Sequence, residues 1–302
     1  MRKITIVGFS AVAFAAILWS LDGVLIRPRL NNLPPTFIVF FEHLLGLFLL
    51  SPILYFNRDK LKTISIKHWI VFFAVALFGG VLGTLAFTKA LFLSNFKNLS
   101  AIILLQKLQP VFAIFLARIL LKEKFQFRFY LYAFFAIILG YFITFPDWRH
   151  PIDNLQSARF VIVLLAILAA VFWGGATTLG KLASNKINYK LLTAIRFALT
   201  VLILLPFVML FYRNSFYDLT NVNLLYFIVI ALSSGAGAMY IYYYGLRKIP
   251  ASLATIAELA WPVSAIFFDY FFNGNLMSSF QIFATIILFG LVYLILKTPL
   301  NK

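Results

Sequence analysis

The chain has 302 residues, 63% hydrophobic and 12% charged, with a mean hydropathy of +0.97. A soluble fold of this size has too little interior for that much apolar surface, so the class is integral membrane. The net charge of +17 would suggest nucleic acid in a soluble protein. Here the basic residues sit in short segments between apolar runs, the positive-inside pattern of a membrane protein, and no nucleic-acid partner is expected. Cysteine is absent, which excludes disulfides and thiolate metal sites. His43, His68 and His150 make no metal-ligand spacing, so neither metal nor cofactor is expected.

The apolar runs are about 18–25 residues long and continuous, which suits helices rather than the alternating strands of a barrel. Ten spans are expected, at 5–26, 36–56, 68–92, 99–121, 128–145, 160–182, 190–212, 223–246, 252–272 and 278–296. Met1-Arg2-Lys3 ahead of Ile4 imitates a signal peptide, and Ala13-Phe14-Ala15 imitates a cleavage site. The same segment recurs in the second half, so it reads as a retained span. Connections are short. The longest, Pro146 to Arg159, is turn-rich and reads as a link between halves. Sixteen Lys and Arg fall on one side of these spans and six on the other, which places both termini in the cytoplasm of a multi-pass plasma (inner) membrane protein.

The halves repeat. Trp19 and Trp173 are 154 residues apart, as are Pro52 and Pro206, and Glu42 and Arg196; Pro110 and Pro262 are 152 apart. Five spans per copy is an odd number, so the second copy enters the membrane from the opposite side. The expected fold is therefore all-α, with ten transmembrane helices as two inverted five-helix repeats around a central cavity. The boundaries are 1–147 for the first repeat, 148–158 for an extracytoplasmic linker and 159–302 for the second. Repeats of this kind suit alternating access.

Two proline-bearing stretches stand out: Gln106-Lys107-Leu108-Gln109-Pro110 in the fourth span and Glu258-Leu259-Ala260-Trp261-Pro262 in the ninth. Helical spacing puts Gln106, Gln109 and Pro110 on one face, and Glu258, Trp261 and Pro262 on one face. Each proline removes a backbone hydrogen bond and should free the carbonyl four residues before it. An ionisable group at membrane depth costs at least roughly 2.5–3.5 kcal/mol, so Lys107 and Glu258 need a reason. Lys107 reads either as the partner of a carboxylate such as Glu42 or Glu258, or as an anchor for an anionic substrate group. Glu258 reads either as a salt-bridge partner of Lys107 or Arg196, or as a proton-coupling or amine-binding carboxylate.

Trp19, Trp173 and Trp261 lie within spans rather than at the interface, where tryptophans usually sit. They are either packing residues or walls against an apolar substrate. The run Tyr240, Tyr242, Tyr243, Tyr244 adds hydroxyls, and Tyr244 is the candidate taken from it. Gly79, Gly80 and Gly83 serve close helix approach. With 36 Phe and 14 Tyr, aromatic content alone argues for no particular substrate. Glu42, His43 and Arg196 read as helix-to-helix pairing, and Asp22 as a surface partner of Arg27.

The ordered set Trp19-Ser20, Ala90-Leu91, Gln109-Pro110, Leu121-Lys122-Glu123-Lys124 and Gly140, echoed by Trp173-Gly174, Gly245-Leu246, Trp261-Pro262 and Gly290, resembles the EamA-type drug/metabolite transporter superfamily. The second copy departs at Asn273-Gly274-Asn275, where the family turn carries a glutamate. The resemblance implies a ten-helix exporter in which the first, third and fourth helices of each repeat line the cavity and the second helices lie outside it.

The reading is a secondary transporter, not an enzyme, exporting amino acids or related small metabolites by alternating access. The alternatives are another substrate class of that superfamily (a drug-like cation or a nucleotide sugar) and, behind these, a membrane enzyme or channel. No His-Glu-x-x-His, Gly-x-Ser-x-Gly or selectivity-filter sequence supports the last two. Substrate-binding candidates are Trp19, Gln106, Lys107, Gln109, Trp173, Tyr244, Glu258 and Trp261, with Pro110 and Pro262 shaping their helices. The expected partners are a small-molecule substrate and the lipid bilayer, with proton coupling and a homodimer left open.

Overall fold

A computed structural model describes residues 3–94, 102, 105–106, 108–144, 158–274 and 278–298. The described residues form helices and short connections. In hydrocarbon every backbone N–H and C=O must be satisfied within the chain, and apolar runs of this length do that as helices.

Eight helical stretches are long and apolar enough to cross a membrane, among them Ile4–Leu30, Pro35–Phe56, Ile66–Leu93 and Asn221–Lys248. Two further apolar helices, Gln109–Leu120 and Phe127–Leu139, are shorter. The expected link at 148–158 lies outside the described residues except for its last residue, where a helix starts. The first span is longer than the sequence suggested. After α1 (Lys3–Leu21) a π-helical turn, Asp22–Ile26, and a 3-10 turn, Arg27–Leu30, carry it onward. Asp22 and Arg27 are therefore buried side chains within a span, not residues of a surface mouth.

Helix α2 (Pro35–Phe56) packs along α3 (Tyr189–Phe211), and α1 packs along α4 (Ala236–Lys248). The third span is continuous but changes pitch at a π-helical stretch, Ala76–Leu82, before α5 (Gly83–Leu93). Its small residues let two side chains from the other half approach. A β-carbon on Gly79 would sit 2.7 Å from Arg196 Nη2, and one on Gly80 would sit 2.0 Å from Thr200 Oγ1. Helix α5 then packs against α6 (Ala158–Ser184), which also holds α7 (Gln109–Leu120).

The motif glutamate of the first half ties the halves together. After α7 the chain turns through Lys122 in the left-handed conformation (φ 54°), and Glu123 reaches the start of α8 (Ala251–Ala257). Its carboxylate accepts from Ala251 N at 2.8 Å, Ser252 N at 3.0 Å and Ser252 Oγ at 2.7 Å. These N–H groups begin a helix and have no intrahelical acceptor, and a carboxylate at the positive end of the helix dipole is favourable. Large apolar side chains such as Phe48, Phe56, Phe115 and Phe211 stay exposed on the outer faces, where lipid would cover them.

Candidate functional site

The two prolines shape the helices around one cavity. At Leu108 the chain makes a turn, and α7 starts at Gln109 with Pro110 in its first turn, where a missing N–H is tolerated. In the other half α8 ends at Ala257, Glu258 and Leu259 turn, and α9 (Ala260–Asn273) starts with Pro262 in the matching place. Both breaks bring polar side chains into the interior. Gln106 Nε2 donates to Gln109 Oε1 at 2.8 Å, and Gln109 Nε2 donates to Glu258 Oε2 at 2.6 Å. Tyr242 donates to Glu258 Oε1 at 3.0 Å, and its hydroxyl also lies 2.9 Å from Thr177 Oγ1. Chain segments far apart in sequence thus converge on one carboxylate. The Glu258 carbonyl, expected to be free, accepts from Trp261 N at 3.0 Å, because the turn closes with a tighter bond than a full helix would.

Aromatic rings wall the same space. Trp19 lies 5.2 Å from the Tyr242 ring, and Trp173 lies 5.2 Å from Phe87 and donates to the Gly79 carbonyl at 3.2 Å. Trp261 packs so close to Gly23 that a β-carbon there would stand 3.2 Å from its ring. The unfilled space between the walls, counted with its open mouth, is about 1230 Å³. Trp19, Gln106, Gln109, Trp173, Glu258 and Trp261 all line it. Lys107 lies outside the described residues. Tyr244 does not line the cavity; its ring is 5.4 Å from Tyr189, with Lys248 Nζ 4.6 Å from its centre. Two residues along a helix is a turn of about 200°, so Tyr242 and Tyr244 point to opposite sides, and Tyr242 holds the place expected for Tyr244.

A second wall carries charge that the sequence reading assigned to the surface or to helix pairing. Arg27 Nη2 donates to Asp22 Oδ2 at 2.7 Å and to Glu42 Oε2 at 2.8 Å, and Nη1 donates to Thr88 Oγ1 at 3.1 Å. Asp22, Arg27 and Glu42 are all 5–6% exposed. His43, beside Glu42, donates from Nδ1 to the Val39 carbonyl at 2.7 Å and lies 4.8 Å from the Phe197 ring. Arg196 Nη1 donates to Tyr243 Oη at 3.1 Å. Asp22, Arg27, Glu42, His43 and Arg196 all line the cavity. Glu42 and Arg196 do help pair their helices with neighbours, as expected, but α2 and α3 also face the interior. Their depth in apolar runs was the one sequence signal for this.

Helices apolar enough to span a membrane, enclosing a cavity with a polar floor and aromatic walls, define a membrane carrier for a small organic molecule. The EamA-like transporter family matches residues 6–145 and again 160–297, and the chain belongs to that family and to the drug/metabolite transporter superfamily. It is a transporter and not an enzyme. A riboflavin transporter, ImpX of Fusobacterium nucleatum subsp. nucleatum, is 41% identical over 291 residues, covering 93% of this chain and 94% of that one. An uncharacterized transporter of Bacillus subtilis, YoaV, is 24% identical over 257 residues, covering 84% of each chain. A solved crystal structure matches the fold with a TM-score of 0.71 at 15% identity, covering 98% of this chain and 97% of the other.

Proposed function

We propose that the protein carries riboflavin or a close flavin relative across the plasma membrane by alternating access between two inverted five-helix halves, 1–147 and 159–302. The observation that carries the substrate assignment is the 41% identity, over nearly the full length of both chains, to a transporter named for riboflavin. The cavity chemistry agrees with it. A flavin is a flat, fused aromatic system with an imide edge and a hydroxylated tail. Trp19, Trp173 and Trp261 offer ring faces, and Gln106 and Gln109 offer paired donors and acceptors for an imide. A few placed polar groups among aromatic walls is the usual build of a small-molecule site.

The sequence expectation of an amino-acid exporter is the competing reading. It rested on paired proline-bearing helices and intramembrane charges of both signs, with Lys107 and Glu258 together suiting a zwitterion and Glu258 meeting its amine. Both carboxylate oxygens of Glu258 already accept hydrogen bonds, from Gln109 and Tyr242, which weakens that role and leaves Glu258 to hold the amides in place.

Three observations support the inverted repeat. The family matches the chain twice, in halves of similar length. The packing comes in exchanged pairs: α1 against α4 mirrors α6 against α5, and α1 against α9 mirrors α6 against α7. The eight long apolar stretches and two shorter ones add up to ten. Rescue of a riboflavin-requiring bacterial strain at low riboflavin tests the substrate. Growth restored by this chain is the expected result. No rescue, with riboflavin failing to raise the thermal midpoint of the purified protein while an amino acid raises it, would overturn the flavin reading.

A further inference from the structure

Riboflavin is uncharged, so a carrier for it needs a separate link to an energy source if it is to concentrate its substrate. The residues that could supply this link, whose assignment rests on the flavin reading, form the other wall of the cavity. Arg27 Nη2 bridges Asp22 Oδ2 and Glu42 Oε2, and Arg27 Nε adds a 3.2 Å bond to the same Asp22 oxygen. Two carboxylates therefore share one guanidinium, and the cluster holds one negative charge in excess. The second Asp22 oxygen, Oδ1, is buried with no hydrogen-bond partner. The second Glu42 oxygen, Oε1, is 3.5 Å from His43 Nδ1, whose proton is directed to the Val39 carbonyl.

An unpaired carboxylate charge away from water is expensive. Among the described side chains, the charged or titratable groups on the elements packed around the cluster do not supply the missing positive charge. Arg196, from α3, bonds Tyr243. Arg29 lies over Tyr226, and Lys89, next to Thr88, is exposed. Tyr242 is turned to Glu258. A metal ion is a poor fit, because the Arg27 guanidinium already occupies the space between the carboxylates, and no group of three metal-ligating side chains is found among the described residues.

We propose that the Asp22–Arg27–Glu42 cluster is the proton-coupling site of the carrier, binding one proton in each cycle. The proton comes from water on one side of the membrane onto the carboxylate pair and leaves to water on the other side. With an uncharged flavin, the cycle moves one positive charge. Glu258, which accepts from Gln109 and Tyr242, takes no part in this step.

The test uses purified full-length protein in lipid vesicles with an entrapped pH dye, the membrane potential clamped and riboflavin supplied. One pH unit is equivalent to about 1.4 kcal/mol, so one coupled proton supports about tenfold accumulation across a one-unit gradient. Wild type is expected to move protons with riboflavin and to approach that ratio. Glu42→Gln and Asp22→Asn are each expected to lose the dye signal and to equilibrate riboflavin at a ratio near one. Riboflavin should still raise the thermal midpoint of both, which shows that they are folded and bind. The two variants are independent, and either one that binds decides the assignment. The proposal is overturned if wild type carries riboflavin with no proton movement, if replacing sodium by choline abolishes the drive, or if either variant that binds riboflavin keeps the gradient-driven ratio. Failure of wild type to bind or carry riboflavin would instead defeat the flavin reading.

Discussion

The cavity has two polar walls built on opposite principles. On the Glu258 wall one carboxylate receives donors from Gln109 and Tyr242, and Gln106 continues the chain of bonds. On the Arg27 wall one cation serves two carboxylates, and Asp22 Oδ1 has no partner. The first arrangement fixes a charge and orients amides, which suits recognition. The second leaves a charge that a proton would neutralise, which suits coupling. The chemistry of the two halves differs as well: Glu42 and Arg196, 154 residues apart, carry opposite charge.

The largest effect should come from breaking the Arg27 wall outright. Arg27→Met leaves two buried carboxylates without their cation and should destabilise the protein by about 3–5 kcal/mol, read as a lower unfolding midpoint in detergent. Adding Glu42→Gln should recover part of it. An unchanged midpoint would mean that the cluster is not buried as described. On the other wall, Glu258→Gln removes charge-assisted hydrogen bonds worth roughly 1.5–3 kcal/mol, so riboflavin affinity should fall about ten- to a hundredfold in titrations of the purified protein. Unchanged affinity would remove Glu258 from the recognition wall.

Gly79→Ala probes the seam between the walls. The added methyl meets Arg196 Nη2 at 2.7 Å and Ala176 Cβ at 2.9 Å, so overpacking of about 1–3 kcal/mol is expected from thermal unfolding. The smallest effect belongs to Tyr244→Phe, which should stay within about 0.5 kcal/mol and leave affinity alone, whereas Tyr242→Phe removes a donor to Glu258 and should weaken binding. Equal effects at 242 and 244 would contradict the facing of that helix.

How far the site could be read in the sequence depends on what each signal measures. Pro110 and Pro262 act locally, on their own backbone, and the helices break where the sequence places them. Gln106, Gln109 and Glu258 stood out because polar groups are costly in long apolar runs, and the structure joins them in one chain of hydrogen bonds. Tyr244 was misplaced because four tyrosines within five positions leave the helical phase undetermined. Asp22 and Arg27 were read as a pair, but at a surface, because an apolar run that stops at Ile26 suggests the end of a span. The π-helical turn and the 3-10 turn after it extend the helix instead, and pitch changes of that kind leave little trace in hydropathy. The pairing of Glu42 with Arg27 depends on how the first two spans lie together, which no local pattern encodes.

Counterflow shows whether this cavity recognises and carries a flavin. Vesicles containing purified protein and loaded with unlabelled riboflavin are placed in a trace of labelled riboflavin. A transient, saturable accumulation of label above equilibrium is expected, absent from protein-free vesicles and reduced by Glu258→Gln. Label that enters no faster than into protein-free vesicles, with the protein folded and correctly inserted, would contradict the flavin reading.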